Sequence, residues 1–226
     1  MNELLSYDDR GNIKTLKRDN DALFTYTYTN GNTSNRLASL SGGLTGSYTY
    51  DGNGNATKDR TGMLFTYNHL NLPKTAKKTG VSVDYRCDAA GAKLQKMATV
   101  GAVNTQTDYI GGIAYSKIGT AASAIARIAT EDGYLLHSKG TYSYHYYLTD
   151  HLGNVRVVIK RGSSAATADV IQKQDYYAFG KTKSILTGGN NKYLYNGKEV
   201  QEELGGQLDY GARFYDAEIG RWNVVD

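Results

Sequence analysis

The chain has 226 residues, a formal net charge of +4 and a hydrophobic content of 40%, which can support one domain or a small pair. Its 26 basic and 22 acidic residues form no long run of one sign, so we do not expect nucleic-acid binding. Tyrosine dominates the large side chains, with 20 Tyr against four Phe and one Trp. Such amphipathic rings suit a thin, half-hydrated layer better than a thick apolar core.

The N-terminal residues MNELLSYDDRGN have neither the basic start nor the apolar stretch of a secretory signal peptide. No segment approaches the ~20 apolar residues that a membrane-spanning helix needs. We therefore expect no signal peptide and no membrane span in this chain. Cys87 is the single cysteine, so an internal disulfide is excluded, and we expect it to be a small side chain in the core.

A tetrapeptide of the form Asp-x-x-Gly recurs along the chain. Its first and last residues are Asp8 and Gly11, Asp51 and Gly54, Asp88 and Gly91, Asp108 and Gly111, and Asp150 and Gly153. With weaker copies at Gly31, Asn71 and Gly133, successive copies lie roughly 20 residues apart. Asp can accept hydrogen bonds from the backbone just after it, and Gly adopts the positive φ of tight turns. The pattern predicts a structural turn at each copy.

Between these turns, apolar and polar residues alternate with a period of two. The clearest examples are FTYTYT at 24–29, VSVDYRCD at 81–88 and YSYHYYLT at 142–149. This alternation is typical of half-buried antiparallel strands. Two segments rich in small residues, 117–130 and 161–169, interrupt it. We interpret both as excursions between strands, and for the first a loop, an inserted strand and a short helix all remain open.

A unit of about 20 residues holds two short strands and two turns, and it cannot bury an apolar face alone. We therefore expect neighbouring units to join into one long sheet. The right-handed twist of so many strands should make that sheet curl, spiral or close. The sequence predicts an all-β fold of repeated antiparallel β-hairpins.

Longer motifs resemble the bacterial RHS repeat (YD-repeat) proteins and their RHS-associated core domain. They are YDGNGN at 50–55, YLTDHLGNVR at 147–156, DYYAFG at 175–180, YLYNGKE at 193–199 and LDYGARFYDAEIGRW at 208–222. The resemblance covers nearly the whole chain. It implies a β-sheet ribbon that spirals into a hollow, cocoon-like shell, similar to the C components of Tc toxin complexes and to the shells of polymorphic toxins.

The resemblance also implies an organisation and a function. Residues 1–160 would be RHS repeats in a continuous curled sheet, and residues 161–226 would be the core segment of the same sheet, closing or plugging one end. The shell would encapsulate a downstream C-terminal toxin or effector domain and help to deliver it. Its partners would be that effector, and further repeats or a second copy to close the shell. Such a protein is made in the bacterial cytoplasm and exported or displayed at the cell surface as part of a larger protein, for use against competing bacteria.

In the family, the GRW motif leads through a short spacer to an Asp-Pro pair, where acidic residues cut the effector from the shell. Here GRWNVVD ends at Asp226, which matches only the first residue of that pair. Asp216, Asp226 and Arg221 are therefore candidate catalytic residues of an aspartyl autoprotease, with Asp209 and Arg213 nearby. Two carboxylates a few ångströms apart can share a proton and activate water. Turn-forming Asp residues paired with Arg explain the same residues, and we favour that interpretation.

Other candidates for chemistry are weaker. His151 follows Asp150 and could ligate a metal, but the remaining histidines, His69, His137 and His145, show no ligand pattern, so we expect neither metal nor cofactor. No phosphate-binding loop or nucleophile elbow is present.

The tyrosines of one strand leave a further alternative open. Tyr142, Tyr144 and Tyr146 share a face, and such rings could line the shell lumen, stack on sugars or simply pack across strands. The leading hypothesis is a non-enzymatic shell. The autoprotease and a carbohydrate-binding surface adhesin are the alternatives.

Overall fold

The computed structural model describes residues 1–164 and 166–224, which are nearly all β-structure with antiparallel pairing. This confirms the all-β class. The first sheet contains β1 (Glu3–Tyr7), β2 (Ile13–Arg18), β3 (Phe24–Tyr28), β4 (Leu37–Gly42) and β5 (Gly46–Ser47). The large sheet contains β6 (Thr49–Tyr50), β7 (Ala56–Lys58), β8 (Leu64–Tyr67), β9 (Pro73–Lys78), β10 (Val81–Cys87), β11 (Lys93–Val100), β12 (Val103–Ile110), β13 (Ile113–Ile118), β14 (Ala124–Thr130), β15 (Gly133–Ser138), β16 (Thr141–Thr149), β17 (Val155–Arg161), β18 (Ala168–Tyr176) and β19 (Thr182–Leu186). The third sheet contains β20 (Glu199–Gln201), β21 (Gln207–Asp209), β22 (Phe214–Asp216) and β23 (Arg221–Trp222).

Helical structure in the described residues is confined to single turns. These are Thr29–Asn32, Tyr195–Gly197 and Glu202–Leu204. The first has left-handed backbone angles at Asn30 and Gly31, so it is a tight turn rather than a regular helix. Within the described ranges, no helix has the length and apolar character needed to cross a membrane.

The strands of the large sheet follow one another in chain order, each paired with its sequence neighbours. Most of segment 117–130 belongs to this sheet, since it includes the end of β13 and all of β14. Segment 161–169 includes the end of β17 and the start of β18. The first segment is therefore strand rather than helix, despite its many small residues.

The strand pairing differs from the predicted single sheet in two places. The first break falls at Tyr48. Before this residue β5 pairs with β4, and after it β6 pairs with β7. The chain is extended through this point, and the buried Tyr48 ring packs in the core of the first sheet. The second difference concerns the C-terminal segment: residues up to Leu186 continue the large sheet, but β20 to β23 form a sheet of their own. These strands have only two or three residues, so they are too short to extend a long ladder.

One turn geometry recurs along the chain. At Asp150, Oδ1 accepts hydrogen bonds from the backbone N–H groups of Leu152 and Asn154, and Oδ2 accepts one from the Asn154 side chain. Gly153 N–H donates to the Asp150 carbonyl, with φ of 76° at the glycine. The same backbone and Oδ1 pattern is present in the turns that start at Asp8, Asp51, Asp59, Asn68 and Asp88.

All of these turns except the one at Asp59 are tied to an irregularity in strand pairing. The register shifts at the residue before the Asp or Asn, for example where Tyr50 pairs with Ala56 and Thr149 with Val155. Bulges of this kind bend a strand and increase its right-handed twist. The repeated turn therefore contributes to the curl of the sheet as well as to its connections.

Asp108 does not have the predicted turn role. It lies inside β12, where its carboxylate accepts hydrogen bonds from the side chains of Gln95 and Gln106. The turn is instead a two-residue hairpin at Gly111 and Gly112, both with positive φ. Such a hairpin needs two consecutive residues of this kind, and the Gly-Gly pair supplies them.

The predicted alternation holds in the first two example strands, where Phe24, Tyr26 and Tyr28 are buried in β3 and Val83 and Tyr85 are buried in β10. Cys87, expected in the core, is only half-buried, and burial raises the pKa of its thiol.

In β16 the tyrosine face is the exposed one. Tyr142, Tyr144 and Tyr146 point to solvent, while His145 is buried with its ring stacked 4.6 Å from that of Tyr134. Burial lowers the pKa of His145. Tyrosine tolerates either side of a sheet because its ring is apolar and its hydroxyl is polar.

The turn that starts at Asp51 offers a matched pair of glycines for testing backbone strain. Gly54 has φ of 85°, whereas Gly52 has no positive φ and would place no Cβ within 4 Å of other atoms. We expect Gly54→Ala to lower the free energy of unfolding by roughly 1–2 kcal/mol, the cost of a left-handed L-residue. Gly52→Ala should leave it nearly unchanged. Equal effects of both variants in urea unfolding would contradict this account of the turn.

The Asp150 carboxylate makes the turn sensitive to acid. Partial burial opposes its ionisation, but hydrogen bonds from Asn154, Arg156 and Leu152 outweigh this and lower its pKa to about 2. Because an unfolded Asp has a pKa of about 3.9, the stabilisation is present above that pH and is lost as the pH falls towards 2. Asp150→Asn keeps the acceptor oxygen that Asn68 uses in an equivalent turn. The stability difference between wild type and Asp150→Asn should therefore shrink between about pH 4 and pH 2; a constant difference would contradict the assignment.

Candidate functional site

The C-terminal segment, residues 190–223, lies against the inner face of both larger sheets. From the first sheet, Arg18 donates hydrogen bonds to the carbonyls of Ala217 and Glu218, and Tyr26 donates to the carbonyl of Ile219. These contacts join residues about 200 positions apart in the sequence. The start of the chain is therefore fixed to its C-terminal segment.

The large sheet contacts the same segment along most of its width. Lys93 of β11 forms ion pairs with Glu199 and Asp209, at 2.9 and 2.7 Å. Tyr109 of β12 donates to Glu199, and Gln172 of β18 donates to the carbonyl of Asn191. Strands this far apart can reach one segment only if the sheet curls around it.

Apolar side chains of the C-terminal segment complete the core. Leu204 and Phe214 pack with Met63 and Val83 on the inner face of the large sheet. Ile219 is fully buried in the core of the first sheet. The segment fills the inside of the curl formed by the two larger sheets. Its role in closing or plugging one end of a shell stays a prediction.

Asp216 is at the centre of this contact. Its carboxylate is 2% exposed and accepts two hydrogen bonds from Arg60, from Nε at 2.6 Å and from Nη2 at 3.2 Å. Glu218 N–H donates to the same carboxylate. Burial raises the pKa of Asp216, opposed by the Arg60 guanidinium, and the negative charge of Asp59 adds to the rise.

Asp59 is a site residue that the sequence analysis missed. Its oxygens accept hydrogen bonds from Thr61, Met63 and the side chain of Gln207. The sequence DRTG at 59–62 has the Asp-x-x-Gly form, but it follows the copy at Asp51 too closely to fit the repeat period. Its carboxylate is saturated by the turn and by Gln207, so it serves structure.

The other predicted catalytic residues have separate partners. Asp209 pairs with Lys93, and Arg221 donates to the carbonyl of Asn35 at 2.6 Å and stacks over Tyr28. The guanidinium of Arg213 lies over the Trp222 ring, 4.4 Å from its centroid. Asp226 lies outside the described residues. Among the described acids, Asp209 and Asp216 are thus each held by a different base, not arranged with each other as a dyad.

A cavity of about 540 Å³ remains between the inner face of β11 to β15 and residues 190–203. The floor of this inner cavity carries small side chains, including Thr105, Thr107, Ala114 and Ser116. The remaining lining residues are Lys96, Val100, Val103, Tyr109, Ile118, Ala126, Arg127, Tyr134, Leu136, Asn190, Lys192, Tyr193, Glu199, Glu202 and Glu203. The cavity exists because short side chains on the sheet do not fill the space beneath the segment.

Tyr142, Tyr144 and Tyr146 do not face this cavity. Successive side chains of a strand point to opposite faces, and their neighbour His145 stacks on Tyr134, which lines the cavity. The Tyr144 and Tyr146 rings stack on each other 6.2 Å apart on the outer face. The predicted lumen-facing role is therefore wrong for these residues, and sugar binding by them stays a prediction.

Two of the histidines pack against aromatic rings. His145 is buried against Tyr134, and His137 packs against Tyr142. In the part of the chain that the structure describes, no group of three or more His, Cys, Asp or Glu side chains could hold a metal ion.

Comparison with known proteins finds structural matches over nearly the whole chain. No family model matches the sequence. A crystal structure of TcdB2-TccC3-Cdc42 matches 99% of this chain with a TM-score of 0.67 and 16% sequence identity. The Photorhabdus luminescens Tc holotoxin pore matches 99% of it with a TM-score of 0.65 and 14% identity. The chain spans 14% and 15% of those two chains, so it corresponds to a small part of each.

One curated protein shows a sequence match. Salivary gland surface protein 1 of Aedes aegypti is 35% identical over 88 residues, which cover 37% of this chain and 2% of that protein. The structural matches show that the chain shares the fold of one section of each matched chain. At their level of identity they establish the fold alone.

The burial of the Arg60–Asp216 pair predicts a large effect of breaking it. We expect Asp216→Ala to destabilise the protein by about 3–5 kcal/mol, because it leaves the Arg60 guanidinium without its counter-charge. Asp209→Ala should cost less, since Lys93 keeps its ion pair with Glu199. Urea unfolding of both variants measures this, and similar costs would show that Asp216 is not a structural anchor.

Proposed function

We propose that this chain is part of the wall of an RHS-type shell protein, which encapsulates a downstream effector domain and helps to deliver it. The observation that carries the proposal is the curl of the sheets around an interior that holds both a packed segment and a cavity. Sheets of this form enclose space, and the fold match with toxin-complex components covers 99% of the chain.

The extent of the fold match supports a role as one section of a larger wall. The chain spans 14–16% of the matched toxin chains, so a closed shell on this plan needs many more strands. β1 and β19 are edge strands of their sheets. Edge strands present unpaired N–H and C=O groups, to which strands of further repeats or of a second copy can pair.

The character of the inner face supports enclosure rather than catalysis. Several buried polar side chains on it, such as Lys96 and Gln174, have hydrogen-bond partners within the wall or the C-terminal segment. Polar groups that are paired in this way allow the wall to lie next to a passenger protein without merging with its core. The pairing of Asp216 with Arg60 and of Asp209 with Lys93 supports a structural use of these acids.

The shell role also suggests where the protein acts. An enclosed effector is of use only after delivery, so we propose that the complete protein is exported or displayed by a bacterium and used against competing cells. The resemblance of the sequence motifs to polymorphic toxin shells supports this proposal.

The proposal is tested by protease protection of the natural protein in full, including whatever follows residue 226. We expect the C-terminal domain to resist protease in the native protein and to be cut rapidly when Asp216→Ala opens the wall. Asp209→Ala serves as the matched control, with protection close to wild type. Mass spectrometry of the fragments measures both. A C-terminal domain that is cut equally fast in all three proteins would overturn encapsulation.

A further inference from the structure

The charges that line the inner cavity are balanced with one exception. Each cavity carboxylate has a lysine partner: Glu199 with Lys93 at 2.9 Å, Glu202 with Lys192 at 2.8 Å and Glu203 with Lys96 at 3.4 Å.

Arg127 differs. Within residues 1–164 and 166–224, no carboxylate lies within ion-pair distance of its guanidinium, which is stacked between the rings of Tyr134 and Tyr193 at 4.9 and 4.1 Å. A guanidinium in such a setting favours a planar, two-oxygen acceptor.

Two polar atoms at this end of the cavity also have no partner in the described structure. They are Nε of Arg127 and the hydroxyl of Tyr134, and Tyr134 is 1% exposed. A buried polar group without a hydrogen bond lowers the stability of the fold by about 1–3 kcal/mol, so the presence of two such groups requires an explanation. Burial raises the pKa of Tyr134 to about 12, so its hydroxyl keeps its proton and can donate. Both groups are thus hydrogen-bond donors without an acceptor, and because neighbouring side chains cover both atoms, a ligand in the cavity reaches them after a small shift of those side chains.

The Arg127 side chain is held in place by its surroundings. Nη2 donates to the Tyr147 hydroxyl at 2.9 Å, and that hydroxyl donates to Asn191 at 2.6 Å. Asn191 in turn donates to the carbonyl of Tyr193, whose ring stacks on Arg127. This chain of contacts fixes the guanidinium plane before any ligand arrives, which lowers the entropic cost of binding.

The rest of the cavity suits an apolar body. Small side chains line its floor. Its lining also includes three exposed aliphatic residues, Val100, Val103 and Ile118. Its volume of about 540 Å³ lies within the usual range of small-ligand sites, roughly 300–1,000 Å³.

We propose that the inner cavity binds a carboxylate attached to an apolar body, with Arg127 Nε and the Tyr134 hydroxyl donating to the carboxylate. This goes beyond encapsulation and does not depend on it. Two sources share this chemistry: a free organic acid, and an acidic side chain of a polypeptide inside the shell.

The test uses the intact chain and titration calorimetry with octanoate and octanamide, which differ only in the carboxylate. We expect octanoate to bind at least tenfold more tightly than octanamide. Arg127→Gln should remove that preference, and Tyr134→Phe should weaken octanoate binding while leaving octanamide unchanged. Arg86→Gln, which changes an exposed arginine of β10, is the matched control and should bind as wild type does.

Folding of the variants is checked independently by thermal unfolding. Tyr134→Phe removes a hydroxyl that has no partner, so its melting temperature should equal or exceed that of wild type. Equal binding of octanoate and octanamide to wild type, no saturable binding of octanoate, or unchanged octanoate binding by Arg127→Gln would each overturn the site.

A second pair of probes separates the two sources. These are a capped Leu-Glu-Leu peptide and its Leu-Gln-Leu counterpart. Binding of the Glu peptide, displaced by octanoate, indicates an acidic residue of a polypeptide as the occupant. Octanoate binding without peptide binding indicates a free organic acid. Neither result bears on protease protection of a passenger, so this site and the shell proposal can fail separately.

Discussion

A curled sheet that is one layer thick must have its inner face covered, and in this protein residues 190–223 cover it. The apolar side chains of Leu204, Phe214 and Ile219 supply the second surface that a layered core needs. The Arg60–Asp216 pair then fixes the segment in one position, since a buried carboxylate is tolerated only with its charged partner. The arrangement of the sheets depends on this contact, because both larger sheets pack on the same segment.

The curl itself originates in the turns. At most of the turns where an Asp or Asn accepts two backbone N–H groups, the strand pairing shifts register by one residue, and each shift adds twist to the neighbouring strands. The short side chains of β12 and β13 do not reach the C-terminal segment, and the space that remains between them is the inner cavity. The turn chemistry at the sheet margins and the cavity in the interior are therefore parts of the same geometry.

Local pattern in the sequence was enough to predict the class of fold, because turns and alternating strands are encoded within about ten residues. It could not identify the inner face of β16, since tyrosine suits either side of a sheet and the residues on the inner face are the buried His145 and the half-buried Tyr147. Nor could it find the Arg60–Asp216 pair, whose members lie 156 positions apart. Asp59 carries the local signal but breaks the period, and Asp108 matches the tetrapeptide although a Gly-Gly hairpin makes the turn.

The cavity was beyond sequence reasoning for a related reason. Its walls come from five strands and a distant segment, and the unbalanced charge of Arg127 appears only after every carboxylate has been assigned a partner. A wall that merely enclosed space would have no need of an ordered guanidinium without a counter-charge. Holding a half-buried cation without a counter-charge costs free energy, and the Tyr134 and Tyr193 rings offset only part of that cost. The most economical account of the remaining cost is that an anionic group balances Arg127 when the interior is occupied.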